Sequence, residues 1–559
     1  MRRREPRAEP LAQIAHPLLR RVLSHRGLRE AALDYPLGGL LPWQDLRGIE
    51  AAVELLETAV CAQRRILIVG DYDADGATGV ALAISVLREF GATRVDYLVP
   101  DRVRYGYGLS APLAELVRAE EPDLVVTVDN GISSIEGITA LKAAGIKVLV
   151  TDHHLPGEAL PPADAIVNPN QPGDGFASKA LAGVGVMFYL LLALRRRLID
   201  SGYFSAGSAP NMAAHLDLVA LGTVADLVAL DFNNRTLVEQ GLKRMRAGLA
   251  RPAIQALIEI SGRAPADLQA SDLGFALGPR INAAGRLEHM DRGIACLLAP
   301  DLAAARPLAL ELDAINKSRR ALQADMQDMA IEQILARADA SAPALCVFDA
   351  QWHEGVVGLI ASQLKERFYR PSVAFARAAD GTLKASARSI PGFHLRDALA
   401  LLDAREPGLL LKFGGHAMAA GLSLRGDALG RFQRGFTAIC EELLTDELLS
   451  AEWLSDGELA PTDFQLAAIE ALKAGGPWGQ GWEAPVFDNE FQIIEQRIVG
   501  QGHLKLRLGL DGVVSPLDAI AFGVDEPLSE GRVHLVYELD ANDYYSPPRP
   551  QLIVRGAVS

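Results

Sequence analysis

Short, wholly apolar runs recur in the first third of the chain, each followed by a polar break and then a helical pattern. Ile66 to Val69, Val95 to Val99, Leu124 to Val128 and Val148 to Val150 have the length and composition of strands buried on both faces. Between them the apolar positions step at helical spacing, as Val80, Ala83, Ile84, Leu87 and Phe90 do before Gly91 ends the pattern. Such alternation predicts a parallel α/β sheet. Upstream, residues 1–45 read as helical pieces broken by Pro17, Pro36 and Pro42, and Ile49 to Gln63 as a helix entering the first strand.

Further along, residues 240–300 read as mostly helical. From about Leu302 to Ala338 one apolar stripe (Leu308, Leu312, Ile315, Leu322, Met326, Met329, Ile334) runs between charged positions. It fits a connector between domains and an ordinary core helix equally well. A second α/β unit opens at Ala344 to Phe348. Beyond Leu459, the runs Phe487 to Ile494, Leu504 to Leu510, Asp518 to Phe522, Val533 to Leu539 and Gln551 to Val554 alternate with Gly- and Pro-containing turns, which predicts a small barrel of the OB type.

What ends each strand adds chemistry. The first strand stops at Asp71-Tyr72-Asp73-Ala74-Asp75-Gly76. Three carboxylates this close need protons or cations among them; alone, the run fits an Asp-rich turn capping a helix just as well. The third strand ends in Asp129-Asn130-Gly131 and the fourth in Asp152-His153-His154, and Asp226 follows a helix around Leu216 to Leu221 in Gly222-Thr223-Val224-Ala225-Asp226. Ligands gather outside the carboxyl ends of strands in open α/β sheets, and structural turns would not deliver acids and histidines there repeatedly. Asp73, Asp75, Asp129, His153 and Asp226 together offer carboxylates in excess over imidazole, a set suited to Mn²⁺ or Mg²⁺ rather than structural Zn²⁺. More carboxylates than one ion needs points to a pair of ions with a bridging ligand. Asp71 and His154 are placed to orient ligands or to act on the leaving oxygen.

Bulk properties narrow the classes. A chain of 559 residues exceeds one core. Hydrophobic content of 49% and charged content of 22% fit a globular protein. The four cysteines, Cys61, Cys296, Cys346 and Cys440, form no CxxC pair, which argues against a zinc knuckle or disulfide framework and for a reducing cytoplasm. A net charge of −15 restricts any nucleic-acid contact to a local basic groove. The arginines at 2, 3, 4 and 7 precede no signal-type apolar run and read as a solvated arm.

The segments Asp71 to Gly76, Val128 to Gly131, Asp152 to His154 and Thr223 to Asp226 resemble the four motifs of the DHH phosphoesterase superfamily, and Gly414 to Gly421 resembles the glycine-rich signature of its associated domain. With Arg280 to Arg286, Trp352 to Gly358 and Ser386 to Arg388, the resemblance covers about residue 45 to the end and is to the superfamily's single-strand-specific exonucleases. It implies hydrolysis of single-stranded DNA from the 5′ end to 5′-mononucleotides with two Mn²⁺ or Mg²⁺ ions, in DNA recombination and repair, beside single-strand-binding protein and a RecQ-type helicase. Asp73, Asp75, Asp129, His153 and Asp226 match the metal ligands, Asp129 as the expected bridge, and Asp71 and His154 match active-site neighbours. Arg102, Ser386 and Arg388 match positions that hold a 5′-terminal phosphate, and guanidinium groups suit that task. Tyr107 is placed to stack on a base or, equally, to pack on its domain. Arg280, Asn282 and Arg286 look like strand-backbone contacts, and His416 lines the cleft. His353 and Glu354 fit a helix cap as well as a substrate role. On the barrel, Arg497, Lys505 and Arg507 are strand-binding candidates that solvent also explains. A small-substrate relative acting on short oligoribonucleotides or cyclic dinucleotides is the alternative; it needs neither long connector nor barrel. The expected divisions are an N-terminal helical segment (1–45), a DHH catalytic domain (46–240), a helical region with connector helix (241–340), a DHH-associated domain (341–450) and the OB-like domain (455–559).

Overall fold

The computed structural model describes residues 1–558 apart from 9–10, 29–32, 206, 337–341, 451, 501 and 543. The expected strands form: β1 (Ile66–Gly70), β2 (Val95–Leu98), β3 (Leu124–Val128) and β4 (Lys147–Thr151), joined by β5 (Ala165–Val167), which is too short to stand out in the sequence. All five pair in parallel in the order β2-β1-β3-β4-β5. β1 and β3 are buried along their whole length, as their all-apolar composition requires. The chain leaves β1 outward to β2 and returns on the other side of β1 as β3, so the strand order reverses between β1 and β3. A crevice opens at their carboxyl ends for that reason, and Asp71 and Asp129 stand there.

Helix α2 (Ala74–Glu89) starts directly after the aspartates, with the Asp73 carboxylate accepting from the Gly76 amide at 3.0 Å. Helices α3 (Gly183–Asp200) and α4 (Leu216–Ala225) pack beside it. The residues Gly222 to Ala225 are not a loop after the helix but its last turn, and Asp226 caps it. One apolar core runs from Leu11 to Leu312 and includes Ile254, Leu257 and Ile281, so the division at residue 240 falls inside it. Within the helical region a continuous run contains a π-helical turn, Leu273–Leu277, followed by α5 (Gly278–Leu287).

Helix α6 (Leu302–Ala336) has 35 residues, about 50 Å of rise; the last positions of the predicted stretch, 337 and 338, lie outside the described residues. Its first half buries Ala305, Ala309 and Leu312 in the main core, and its second half buries Met326, Ala330 and Ile334 against the next domain. It is a connector built from core positions. That next domain carries a mixed sheet, in order β9-β10-β8-β7-β6, of β6 (Leu345–Asp349), β7 (Ser372–Arg377), β8 (Leu383–Arg388), β9 (Leu410–Gly415) and β10 (Ala419–Leu424), with α7 (Val357–Phe368) packed on it. The last five strands, β11 (Phe487–Val499), β12 (His503–Gly509), β13 (Leu517–Ala521), β14 (Arg532–Asn542) and β15 (Arg549–Val558), close into a barrel.

The basic arm is exposed, as the sequence reading has it, but it is also anchored. Arg2–Arg3 pairs in parallel with Leu454–Ser455, and the Arg3 guanidinium donates to Asp488 at 2.7 Å. Pro17 begins helix α1 (Pro17–His25) rather than breaking one. Leu19 and Leu23 of α1 sit in the main core, while Leu18 and Val22 sit in the barrel core. Just beyond α1, Arg26 and His25 converge on the fully buried Asp456 carboxylate, at 2.9 and 3.1 Å. A buried carboxylate calls for such partners, a signal invisible until the fold brings residues 430 positions apart together.

Candidate active site

The strand ends deliver a carboxylate–imidazole cluster. Asp71, Asp73 and Asp129 place ligand-capable oxygens within 4.8 Å of one another, and Asp75, His153 and Asp226 form a second such group. A third grouping, Asp129 with His153 and His154, links the two. His153 Nε2 lies 3.0 Å from Asp129 Oδ1 and 3.4 Å from Asp226 Oδ2. The sequence reading sets Asp71 aside as an acid–base or orienting group; the geometry gives it the same access as Asp73.

The backbone is shaped for this convergence. Asp129 has a left-handed φ of 63°, a conformation that costs a non-glycine residue roughly 1–2 kcal/mol and turns its carboxylate back over the strand ends. Opposite it a Cβ at Gly183 would run into the Asp129 side chain, so α3 can begin against the site. The amides of Gly183 and Val184, the first turn of α3, donate to Asp75 at 2.6 and 2.9 Å, a helix N-terminus holding an anion.

Electrostatics show what is missing from the protein alone. Burial and then the neighbouring Asp73 push Asp71 well above the usual carboxylate range; burial and then Asp75 do the same to Asp129 and Asp226. Asp75 is pushed up to about 7 by burial and Asp73, against the two amides. Burial and the charge of His154 take His153 down to about 4, so its imidazole is neutral and free to coordinate. Buried atoms without a hydrogen-bond partner include Asp71 Oδ1, Asp129 Oδ1, His153 Nε2 and Asp226 Oδ2. Orphaned acceptors on these four residues could take up cations, and the oxygen-rich donor set suits Mn²⁺ or Mg²⁺.

A residue the sequence reading passed over holds the histidines. Asp152 is completely buried; its Oδ1 accepts from the amides of His153 and His154 at 2.7 and 3.1 Å and from His154 Nδ1 at 2.7 Å, and its Oδ2 accepts from the Ile132 amide at 2.9 Å. Although burial works against it, this bond and the Asp152 charge raise the pKa of His154. Asn168 and Asn170 donate to the carbonyls of His154 and His153 at 2.9 and 2.6 Å. The Asn-Pro-Asn following β5 was the available signal, lost because β5 itself was not seen.

The other expected residues fall in three places. Arg102 lies over the Tyr72 ring at 4.9 Å. The Arg388 guanidinium donates to Ser386 Oγ at 2.9 Å, and Gly358 at the start of α7 faces both. Arg286 donates to the Gly355 carbonyl at 3.2 Å. Burial and then Arg102 and Arg319 bring Arg286 down to about 10, and burial and then Arg102 lower Arg388. Three guanidinium groups thus crowd together, and among the described residues none of them forms an ion pair within 4.0 Å. Tyr107 leans on His154, ring centroids 5.3 Å apart, and its hydroxyl donates to the Asp129 carbonyl at 3.2 Å. His416, in the turn between β9 and β10, is near enough to His154 for that charge, after burial, to lower its pKa. Asn282 reaches the metal loop itself: its Oδ1 accepts from the Ala74 amide at 2.7 Å. Arg280 does not join the group. It is buried and turned to Asp313 at 2.9 Å and to the Ala276 carbonyl, because a guanidinium on that face of α5 meets the connector helix. Glu354 pairs with Lys384 at 2.9 Å, and His353 Nδ1 accepts from the Gly355 amide at 3.1 Å. On the barrel, Arg497, Lys505 and Arg507 line a cleft of about 710 Å³ with Phe464, Tyr545 and Arg549.

Family models match in three segments: the N-terminal domain of the DHH family over residues 65–223, the DHHA1 domain over 341–442 and the RecJ OB domain over 455–556. The chain is 50% identical over 548 residues to the single-stranded-DNA-specific exonuclease RecJ of Escherichia coli, covering 96% of this chain and 95% of that protein. It is 51% identical to the protein of that name from Dickeya dadantii, covering 99% and 98%. The crystal structure of RecJ from Thermus thermophilus in complex with Mn²⁺ superposes with a TM-score of 0.81 at 31% identity, over 97% of this chain and 76% of that one. That protein's complex with Mg²⁺ gives 0.76 at 29%. No helix among the described residues is long and apolar enough to cross a membrane. With the cluster, the connector and the barrel in one chain and identity held across nearly its whole length, this protein belongs to the RecJ family of single-stranded-DNA-specific exonucleases.

Proposed function

We propose that this chain hydrolyses single-stranded DNA from the 5′ end, releasing 5′-mononucleotides with Mn²⁺ or Mg²⁺. The observation that carries this reading is the juxtaposition of two charge clusters: unpaired guanidinium groups at Arg102, Arg286 and Arg388 beside the carboxylates of the strand ends. A terminal phosphate satisfies the first cluster, and the next phosphodiester then lies at the second. Asp73, Asp75, Asp129, His153 and Asp226, with Asp71, would hold the ions. Bound there, the ions lower the pKa of an attacking water and offset the charge that builds on the phosphoryl oxygens.

The remaining residues position the strand and handle protons. Arg102, Arg388 and Ser386 hold the terminal phosphate, which sets polarity by admitting an end rather than an internal segment. Arg286 spans from that pocket toward Asp73. Asn282 fixes the loop that carries Asp73 and Asp75 through the Ala74 amide. His154, whose protonated form Asp152 favours, faces the departing oxygen as a donor, and Tyr107 braces it. His416 closes the cleft from the second domain. The barrel cleft, basic and lined by Phe464 and Tyr545, suits a strand held ahead of the site by backbone charge and base stacking; this feature favours a polymer over a dinucleotide. The same reading places the enzyme in the cytoplasm, in recombination and repair, with single-strand-binding protein and a RecQ-type helicase as partners.

The test is a digest of one strand labelled at its 5′ or 3′ end, with Mn²⁺, Mg²⁺ or chelator. The 5′ label leaves at once as a mononucleotide, the 3′ label shortens gradually, and chelator stops both. Release of the 3′ label first, or hydrolysis indifferent to chelator, overturns the reading.

A further inference from the structure

Two unfavourable features meet at one rim of the site. Leu227, directly after Asp226, has a left-handed φ of 61° and is 68% exposed. A leucine there is strained where glycine would not be, and it gains no burial in return. Phe275 is 77% exposed, although it sits in the π-helical turn between the buried Leu273, Ala276 and Leu277. π-Helical turns are rare and concentrate at functional sites. The elements that carry them pack together: Gly274 faces Val224 and Gly278 faces Ala225, so the turn rests on the end of α4, where Asp226 stands.

Helix α5 sets this rim in line with the rest of the site. Its first residue, Gly278, lies against Ala225; Asn282 holds the Ala74 amide; Arg286, near its end, lies in the guanidinium cluster. Ten residues span about 15 Å. A single strand advances ~3.4 Å per nucleotide when stacked and further when drawn out, so about 15 Å is at most about four nucleotides, enough for a terminal phosphate at one end, the metal cluster between and a base beyond the scissile bond at the other. A base offers an apolar face of any sequence to a leucine and a phenylalanine.

We propose that Phe275 and Leu227 form a platform for the base on the 3′ side of the scissile bond, holding the scissile phosphate over the ions. The inference rests on the exonuclease reading above. Its test measures kcat and KM on 5′-phosphorylated single strands that carry either a normal second nucleotide or an abasic one. Wild type should lose about tenfold in KM on the abasic strand. F275A should show that loss on the normal strand and no further loss on the abasic one, and F275W should recover wild-type KM. L227G, which relieves the strained backbone and so keeps the fold, should reproduce part of the effect with no fall in Tm. Equal losses for F275A on both strands, or none on either, overturn the platform while leaving the exonuclease reading intact. A wild-type enzyme inert on single strands overturns both.

Discussion

Replacing Asp152 with asparagine removes a charge while keeping the shape. The carboxylate faces four donors: the amides of His153, His154 and Ile132, and His154 Nδ1. An amide group has one accepting end, so in either orientation its NH₂ meets a donor. The charge matters more. His154 is held above its ordinary pKa by Asp152, against the pull of burial. A raised histidine keeps its proton to higher pH than an ordinary one and loses it as pH rises through the elevated value. Without the Asp152 charge the pull of burial loses its main opponent, so His154 gives up its proton at lower pH than in the wild type. Orienting partners of this kind are worth about 10–100-fold, or ~1.4–2.7 kcal/mol in the barrier. The assay is kcat against pH, from 6 to 9, on a 5′-phosphorylated single strand with saturating Mn²⁺. D152N should lie 10–100-fold below wild type, with its basic limb displaced to lower pH. A parallel fall at every pH would show that Asp152 only shapes the loop, and an unchanged profile would refute the role of His154 altogether.

R388A should lower kcat/KM by ten- to hundredfold on 5′-phosphorylated strands and little on 5′-hydroxyl strands; equal effects refute the terminal-phosphate pocket. D129A should abolish hydrolysis while single-strand affinity, read by fluorescence anisotropy, stays near wild type. Chelated protein should melt at lower temperature as pH rises from 6.5 to 8.5, because the raised carboxylates, Asp75 at about 7 among them, favour the protonated folded state at the low end and lose that advantage as they ionise. His153, lowered to about 4, opposes this trend only near and below pH 6.5, where the unfolded imidazole still holds protons that the folded one does not, and Mn²⁺ should flatten the trend. R26A, leaving the buried Asp456 with His25 and a more distant Arg4, should cost about 3 kcal/mol, read as loss of the barrel's docking by limited proteolysis.

Strand ends were legible because burial on both faces forces an unbroken apolar run, and the run's last residue marks where the site begins. Asp71, Asp129 and His153 are read off in that way. What escaped depends on distance in the chain. Arg280 and Asn282 sit two residues apart and look alike as polar residues on a helix, yet one meets Asp313 and the other the Ala74 amide; helix rotation decides, and the partner helix is not local. Asp152 was visible as a letter in its motif but not as a role, since its four donors come from backbone geometry. The exposed arm at Arg2 to Arg4 carried an incomplete expectation because acidic partners such as Asp456 and Asp488 lie at the other end of the sequence.

Helix α1 has a consequence for how the protein is made. Its Leu19 and Leu23 complete the catalytic core, whereas Leu18 and Val22 wait for the barrel, and Arg3 waits for Asp488, 485 residues later. On the ribosome, domains fold from the N-terminus as they emerge, so the catalytic domain can form around one face of α1 while the other stays bare until the final strands are synthesised. The barrel, made long after this helix, closes its second face, and a nascent or truncated polypeptide lacking the barrel displays an apolar stripe for chaperones and proteases to find.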